Sequence, residues 1–127
     1  MNPKPSVVTA EMPLFDAAAL MTVKGVRHLP VVDEQRRVLG LLSDRDIRTA
    51  VGDPRRLLKD EAARDKALTL TVEDAMAKVV ITAFESEPVT VATRHFVDER
   101  VGALPVVDAD RKLVGILSYI DVLKAFR

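Results

Sequence analysis

The chain has 127 residues, and 19 Lys plus Arg balance 19 Asp plus Glu to a formal charge of zero. That balance excludes a general electrostatic grip on nucleic acid or an anionic membrane, and the absence of cysteine excludes disulfides, thiolate chemistry and Cys-based zinc sites. No apolar run approaches the ~20 residues of a spanning helix and no charged-then-apolar leader opens the chain, so a soluble, cytoplasmic protein is expected.

The length fits one domain with a real apolar core. Tryptophan is absent and there is one Tyr and four Phe, too few aromatics for a platform that stacks bases. In chain order, Val7–Thr9 reads as a short strand. Pro13 suits the first turn of a helix, where a missing N–H costs nothing. The run Leu14–Lys24 places Leu14, Ala17, Ala18 and Met21 on one helical stripe, and Gly25 stops it. Leu29–Val32 and Val38–Leu42, joined by the charged turn Asp33–Arg37, form a hairpin buried on at least one face. A helix follows from Ser43 to about Val51. Gly52–Leu70 is a connector, punctuated by Asp53-Pro54, with a charged and partly helical solvated stretch at Arg55–Lys66. Thr71 and Asp74 make a capping box over Thr71–Met76. The strand Val79–Thr82 comes next, and Pro88 opens a further helix. Strands at Leu104–Val107 and Leu113–Leu117 flank the turn Asp108–Lys112, and a last helix runs from Ser118 to about Phe126.

A shift of 75 positions lays Val26–Ala50 on Val101–Ala125. Twelve identities result: Val26, Leu29, Pro30, Val31, Val32, Asp33, Arg36, Gly40, Leu42, Ser43, Asp46 and Ala50. Pro13 also falls on Pro88 and Ala17 on Ala92. This is an internal duplication of a β-α-β-β-α unit. The predicted organisation is a first repeat at 1–52, a linker at 53–70 and a second repeat at 71–127, together one globule of α/β class. The first copy has no leading helix to match Thr71–Met76, which is expected of an excised fragment or of a longer native chain.

The segments Arg27-His28-Leu29-Pro30-Val31-Val32-Asp33 and Ala103-Leu104-Pro105-Val106-Val107-Asp108, each followed by Gly-x-Leu-Ser-x-x-Asp, resemble the two halves of a tandem CBS domain pair. The resemblance covers nearly the whole chain. It implies two repeats packed through small sheets around a pseudo-twofold axis, with two clefts between them that take adenosyl ligands such as AMP, ADP, ATP or S-adenosylmethionine as effectors. It also implies a homodimeric disc and no required cofactor.

Ser43 with Asp46, and Ser118 with Asp121, carry the most chemistry. Capping alone accounts for them, because Ser at an N-cap and an acid three residues on satisfy free N–H groups. A Ser hydroxyl and free N–H groups at a helix start also form an anion site, and a carboxylate one turn on has acceptors for both hydroxyls of a ribose. The resemblance assigns Asp46 and Asp121 to ribose, and Ser43 and Ser118 to the ribose–phosphate region. Arg27 and His28 precede the first strand, where the second copy has Gly102 and Ala103. They are either an unpartnered surface pair or, by the resemblance, contacts to ligand phosphate, a role that suits the Arg donor fork. Thr9 and the segment holding Ile81 and Thr82 can offer strand backbone and a hydroxyl to an adenine edge. Arg45, with Arg48, Arg55 and Arg56, reads as a solvated helix face and linker. The resemblance counts Arg45 among the cleft residues, with Pro30, Ala103 and Pro105. Asp44 and Asp46 stand two apart on a helix and do not face one another, so a shared metal ion is not expected. No acid, base and nucleophile set supports catalysis. The expected function is a regulatory, ligand-sensing module, and the rival is a ligand-free dimerisation or interaction module.

Overall fold

The computed structural model describes residues 2–53, 56–78, 82–98 and 101–125. Its elements are α1 (Leu14–Lys24), β1 (His28–Val32), β2 (Val38–Ser43), α2 (Asp44–Val51), α3 (Glu61–Thr69), α4 (Val72–Ala75), β3 (Ala83–Phe84), α5 (Val89–Asp98), β4 (Ala103–Val107), β5 (Leu113–Ser118) and α6 (Tyr119–Ala125). The α/β repeat expected from the duplication is present twice.

The two hairpins share one register. β1 pairs antiparallel with β2 from His28↔Ser43 to Val32↔Val38, and β4 with β5 from Ala103↔Ser118 to Val107↔Leu113. Each carries a bulge at the same place, between Val31 and Val32 and between Val106 and Val107. The turns match as well. Asp33 Oδ1 accepts from the N–H groups of Gln35 and Arg37, and Asp108 Oδ1 from those of Asp110 and Lys112. Arg36 and Arg111 both adopt the left-handed conformation, with φ of 65° and 64°. A strand segment lies parallel beside each hairpin: Val8 bridges Val31 in the first half, and β3 pairs with β4 in the second. Of the strand expected at Val79–Thr82, residues 79–81 lie outside the described residues, and regular pairing is described at Ala83–Phe84.

The helices follow from their apolar spacing. Leu14, Ala17, Ala18 and Met21 of α1 are buried, and Gly25 ends the helix at φ 64°, with its N–H reaching the Met21 and Thr22 carbonyls. In α5, Ala92 and Phe96 are buried one turn apart.

The halves meet at the hairpin tips. The Val38 N–H donates to the Arg111 carbonyl, and the Leu113 N–H to the Arg36 carbonyl, at 3.2 and 3.0 Å. These bonds exchange under the 75-residue shift, so the tips lie on a pseudo-twofold axis. Val32, Val38, Val107 and Leu113 form a small shared core there. The edges are exchanged too. Ala77, which leads into the second repeat, pairs with Leu41 of the first, and Asn2 pairs with Ile116 of the second. Gly40 makes the first crossing possible, since a Cβ there would stand 2.7 Å from the Ala77 carbonyl oxygen.

The main core gathers Leu14, Leu29, Leu42 and Ile47 of the first repeat with Leu57, Ala67 and Val72. Complete burial of a side chain such as Leu29 stabilises by roughly 1.5–3 kcal/mol. The stretch expected to be a partly helical, solvated connector is helical over Glu61–Thr69 and is anchored by Leu57 and Ala67, while its charges face water. The second core is smaller, built on Ala83, Ala92, Phe96, Leu104, Val106 and Val122.

Candidate functional site

Helix α2 starts at the end of β2, and its first turn is fixed by a reciprocal box. The Asp46 N–H donates to Ser43 Oγ at 3.1 Å, and the Ser43 N–H to Asp46 Oδ2 at 2.8 Å. The Asp44 N–H donates to the Arg27 carbonyl at 2.9 Å, which holds the segment before β1 against the same helix start. The second repeat repeats this wiring. The Asp121 N–H donates to Ser118 Oγ, the Ser118 N–H to Asp121 Oδ2, and the Tyr119 N–H to the Gly102 carbonyl.

At the first of these helix starts the repeats enclose an open cavity of about 630 Å³. Arg27, His28, Leu41, Ser43, Asp44, Arg45, Asp46 and Arg48 line it from the first repeat. Ala77, Val101, Gly102 and Tyr119 line it from the far side. Five of the sequence-derived candidates thus converge: Arg27, His28, Ser43, Arg45 and Asp46. Thr9 is exposed beside Val8, Pro30 and Pro105 are buried inside β1 and β4, and Ala103 is buried at the start of β4. Thr82 is half-buried just before β3. None of these lines the cavity, nor do Ser118 and Asp121, which sit at the equivalent place in the other half. Ile81 lies outside the described residues.

Arg48 is engaged, with Nε 2.8 Å from Asp44 Oδ2 and a second nitrogen 3.9 Å from Asp53 Oδ1. Arg27 and Arg45 are exposed and make no side-chain hydrogen bond or ion pair among the described residues. His28 packs across the repeat boundary: a Cβ on Gly102 would lie 3.0 Å from its Cε1 and 3.1 Å from its Nε2. Burial pushes the His28 imidazole below its usual pKa of 6.5, opposed by the carboxylates of Asp46 and Asp44 and assisted by Arg27. The Ser118 backbone N–H holds the Asp121 carboxyl below the usual carboxylate range, against partial desolvation. No group of three His, Asp or Glu side chains that could hold a metal ion occurs among the described residues.

Asp44 and Arg48 carried no ligand signal in the sequence, and both line the cavity, because a helix start projects its whole first turn into the cleft. The contributions of Ala77, Val101, Gly102 and Tyr119 arise from the second half and have no local signature. The duplication held a clue, since Gly102 and Tyr119 are the counterparts of Arg27 and Asp44, and residues near a pseudo-twofold axis face their own counterparts.

The CBS domain family model matches residues 1–53 and 72–127. L-aspartate semialdehyde sulfurtransferase of Methanocaldococcus jannaschii is 27% identical over 126 residues, 99% of this chain but 22% of that protein. The chain spans about a fifth of the length of the first curated relatives it matches. CBSX2 from Arabidopsis thaliana superposes with a TM-score of 0.84 at 31% identity, covering 99% of this chain and 89% of that one. A structure of CBSX2 in complex with AMP gives a TM-score of 0.76 at 30% identity over 97% of this chain and 87% of that chain. The CBS domain pair of protein MJ0100, in complex with 5′-methylthioadenosine and S-adenosyl-L-methionine, gives 0.77 at 29% identity over 98% and 90%.

Proposed function

This chain belongs to the CBS domain family, and on that premise we propose that it is a regulatory module whose cleft between the repeats binds an adenosyl ligand. The observation that carries the reading is the convergence of the Ser43–Asp46 box, two guanidiniums that have no partner among the described residues, and apolar surface from the opposite repeat around one cavity of about 630 Å³. Among the described residues Asp46 Oδ1 accepts no hydrogen bond, which leaves it for a ribose hydroxyl while Oδ2 holds the Ser43 N–H. Leu41, Ala77, Val101 and Tyr119 supply the apolar wall that a purine requires. The binding of AMP by CBSX2 and of 5′-methylthioadenosine and S-adenosyl-L-methionine by MJ0100 supports the same ligand class. A ligand so placed touches both repeats and stabilises one relative placement of them, and its effect is limited to its differential affinity for the two states.

The reading needs no catalytic step. We place the module in the cytoplasm as a homodimer, a state that would cover Ile120 and Leu123 of α6, now 60% and 53% exposed. That apolar face is also the observation that favours the second reading, a ligand-free interaction module. Thermal shift followed by calorimetry with AMP, ADP, ATP, S-adenosylmethionine and GTP separates the two. A ligand at a hundredfold its Kd stabilises by about 2.7 kcal/mol. The proposal expects this from an adenosyl compound and not from GTP. Silence across the panel would leave the interaction module as the better description.

A further inference from the structure

The chain has two histidines, and one of them, His28, stands at the boundary between the repeats. It opens β1, and its pairing with Ser43 across the hairpin sets it beside the start of α2. The ring reaches the other repeat, since a Cβ on Gly102 would lie 3.0 Å from Cε1 and 3.1 Å from Nε2. The residue is half-buried there and also lines the cavity. The charged groups around that cavity belong to the first repeat: Asp44, Arg45, Asp46 and Arg48 at the start of α2, and Arg27 just before β1. On the opposite wall the second repeat places Val101, Gly102 and the Tyr119 phenol, and no Asp, Glu, Lys or Arg of that repeat lines the cavity among the described residues. A proton on the ring is therefore held by the carboxylates of Asp46 and Asp44 and by the water of the open cleft. Burial and Arg27 oppose it. Ala103 takes the equivalent place in the other half, so no imidazole stands at that boundary.

Resting on the adenosyl reading above, we propose that His28 ties this cleft to pH: an uncharged adenosyl ligand binds while the imidazole is neutral and is released as the ring takes up a proton. Two effects of the ligand act in the same direction. A purine and ribose seated in the cleft displace the water that solvates an imidazolium, and a charge left without water or a close partner is costly. Ribose hydroxyls donating to Asp46 also engage the carboxylate that does most to hold the charge. Linkage is reciprocal, so a ligand that disfavours the proton is itself disfavoured by it. Because the same ring packs on Gly102, the proton acts where the two repeats meet, and it acts in one cleft of the two.

Adenosine is the probe, because it stays uncharged from neutral to mildly acid pH. Calorimetry on the full chain from about pH 7.5 down to about pH 5 should show its Kd rising about three- to tenfold. The Kd should stay level in His28→Gln, which keeps a polar side chain of similar reach but does not titrate. Proton NMR of the wild type gives a reading that needs no stable variant. Saturating adenosine should lower the pKa of one imidazole, the one whose signal is missing from the His28→Gln spectrum. Equal affinity at both ends of the range, the same pH dependence in His28→Gln, or imidazole titrations that adenosine leaves in place would each refute the proton link while leaving the adenosyl reading intact. Adenosine that binds at no pH would also overturn the link, and the adenosyl reading falls with it only if AMP and S-adenosylmethionine are silent too.

Discussion

Asp46 separates a ligand site from a helix cap, because its counterpart Asp121 makes the same box. In Asp46→Ala and Asp121→Ala the Ser N–H loses a carboxylate acceptor, at 2.8 and 2.9 Å respectively. Loss of such a cap costs about 1 kcal/mol, or about 3–5 °C in Tm for a domain of this size. Without ligand, the two variants should therefore melt alike. With AMP at a hundredfold its wild-type Kd, the wild type gains about 2.7 kcal/mol. Removing a carboxylate that accepts from ribose hydroxyls weakens binding roughly ten- to a hundredfold. The gain in Asp46→Ala then falls to about 0.4–1.4 kcal/mol by the same relation, while Asp121→Ala keeps the wild-type gain. Asp46→Asn retains an oxygen for the Ser43 N–H and isolates the charge: its apo Tm should approach wild type while its AMP response stays depressed. Scanning fluorimetry at a few AMP concentrations reads all of this. The same AMP response in Asp46→Ala and Asp121→Ala would refute the assignment and leave both residues as caps.

Gly40→Ala would drive a Cβ to within 2.7 Å of the Ala77 carbonyl oxygen and of Met76 Sδ. The thioether can move but the carbonyl is paired with Leu41, so a loss of about 1–3 kcal/mol is expected in chemical denaturation, and an unchanged midpoint would contradict the crossing described. His28 titrates below 6.5 in the folded chain because burial disfavours its charged form. Between that lowered pKa and 6.5 the unfolded chain binds more protons, so stability falls as pH drops through this window and levels off beneath it. Urea midpoints from about pH 7.5 to about pH 5.5 should show a shallower decline in His28→Gln than in wild type, and an equal slope would remove His28 as the cause. Leu29→Ala and Leu104→Ala, equivalent and both fully buried, should each cost about 2–5 kcal/mol. The larger loss is expected at Leu29, whose core is more extensive and less able to collapse, and the order of the two denaturation midpoints checks it.

Much of the frame was legible in the sequence, because duplication turns local patterns into a comparison. The shared hairpin register, the matched Asp33 and Asp108 turns and the two Ser-x-x-Asp boxes follow from residues that recur 75 positions apart. The exchange of edges was not legible. Nothing in Asn2 or Ala77 marks either as the partner of the other repeat's second strand, since backbone pairing over such separations leaves no side-chain signature. The connector was legible as partly helical and solvated, but its anchoring was not. Arg55–Lys66 is charged enough to read as solvated, yet Leu57 and Ala67 suffice to dock the following helix on the first core. At the site, Ser43, Asp46 and Arg27 were legible from chemistry. Arg48 was read as part of a solvated helix face, because exposure toward a cleft and exposure toward bulk water look the same along a helix, and Asp44 was weighed only as half of a metal pair.

The division of labour between frame and side chains explains how one duplicated unit can yield unequal clefts. Backbone bonds at the axis, between Arg36 and Leu113 and between Val38 and Arg111, tie the repeats at their tips and leave their helix starts to face the cleft. Positions that hold this frame kept their identity through the duplication: Gly40, Leu42, Ser43 and Asp46 in one half, Gly115, Leu117, Ser118 and Asp121 in the other. The positions that diverged, Arg27 to Gly102, Asp44 to Tyr119, Arg45 to Ile120 and Arg48 to Leu123, are exposed or half-buried and make few demands on the core. Their replacement is cheap in stability, since surface changes away from special features shift it by only about 0.5 kcal/mol. They matter more for what the cleft can accept, because a partly closed cleft screens charge less than open water does. Selection on such residues can change what a cleft binds without disturbing the symmetry that builds it.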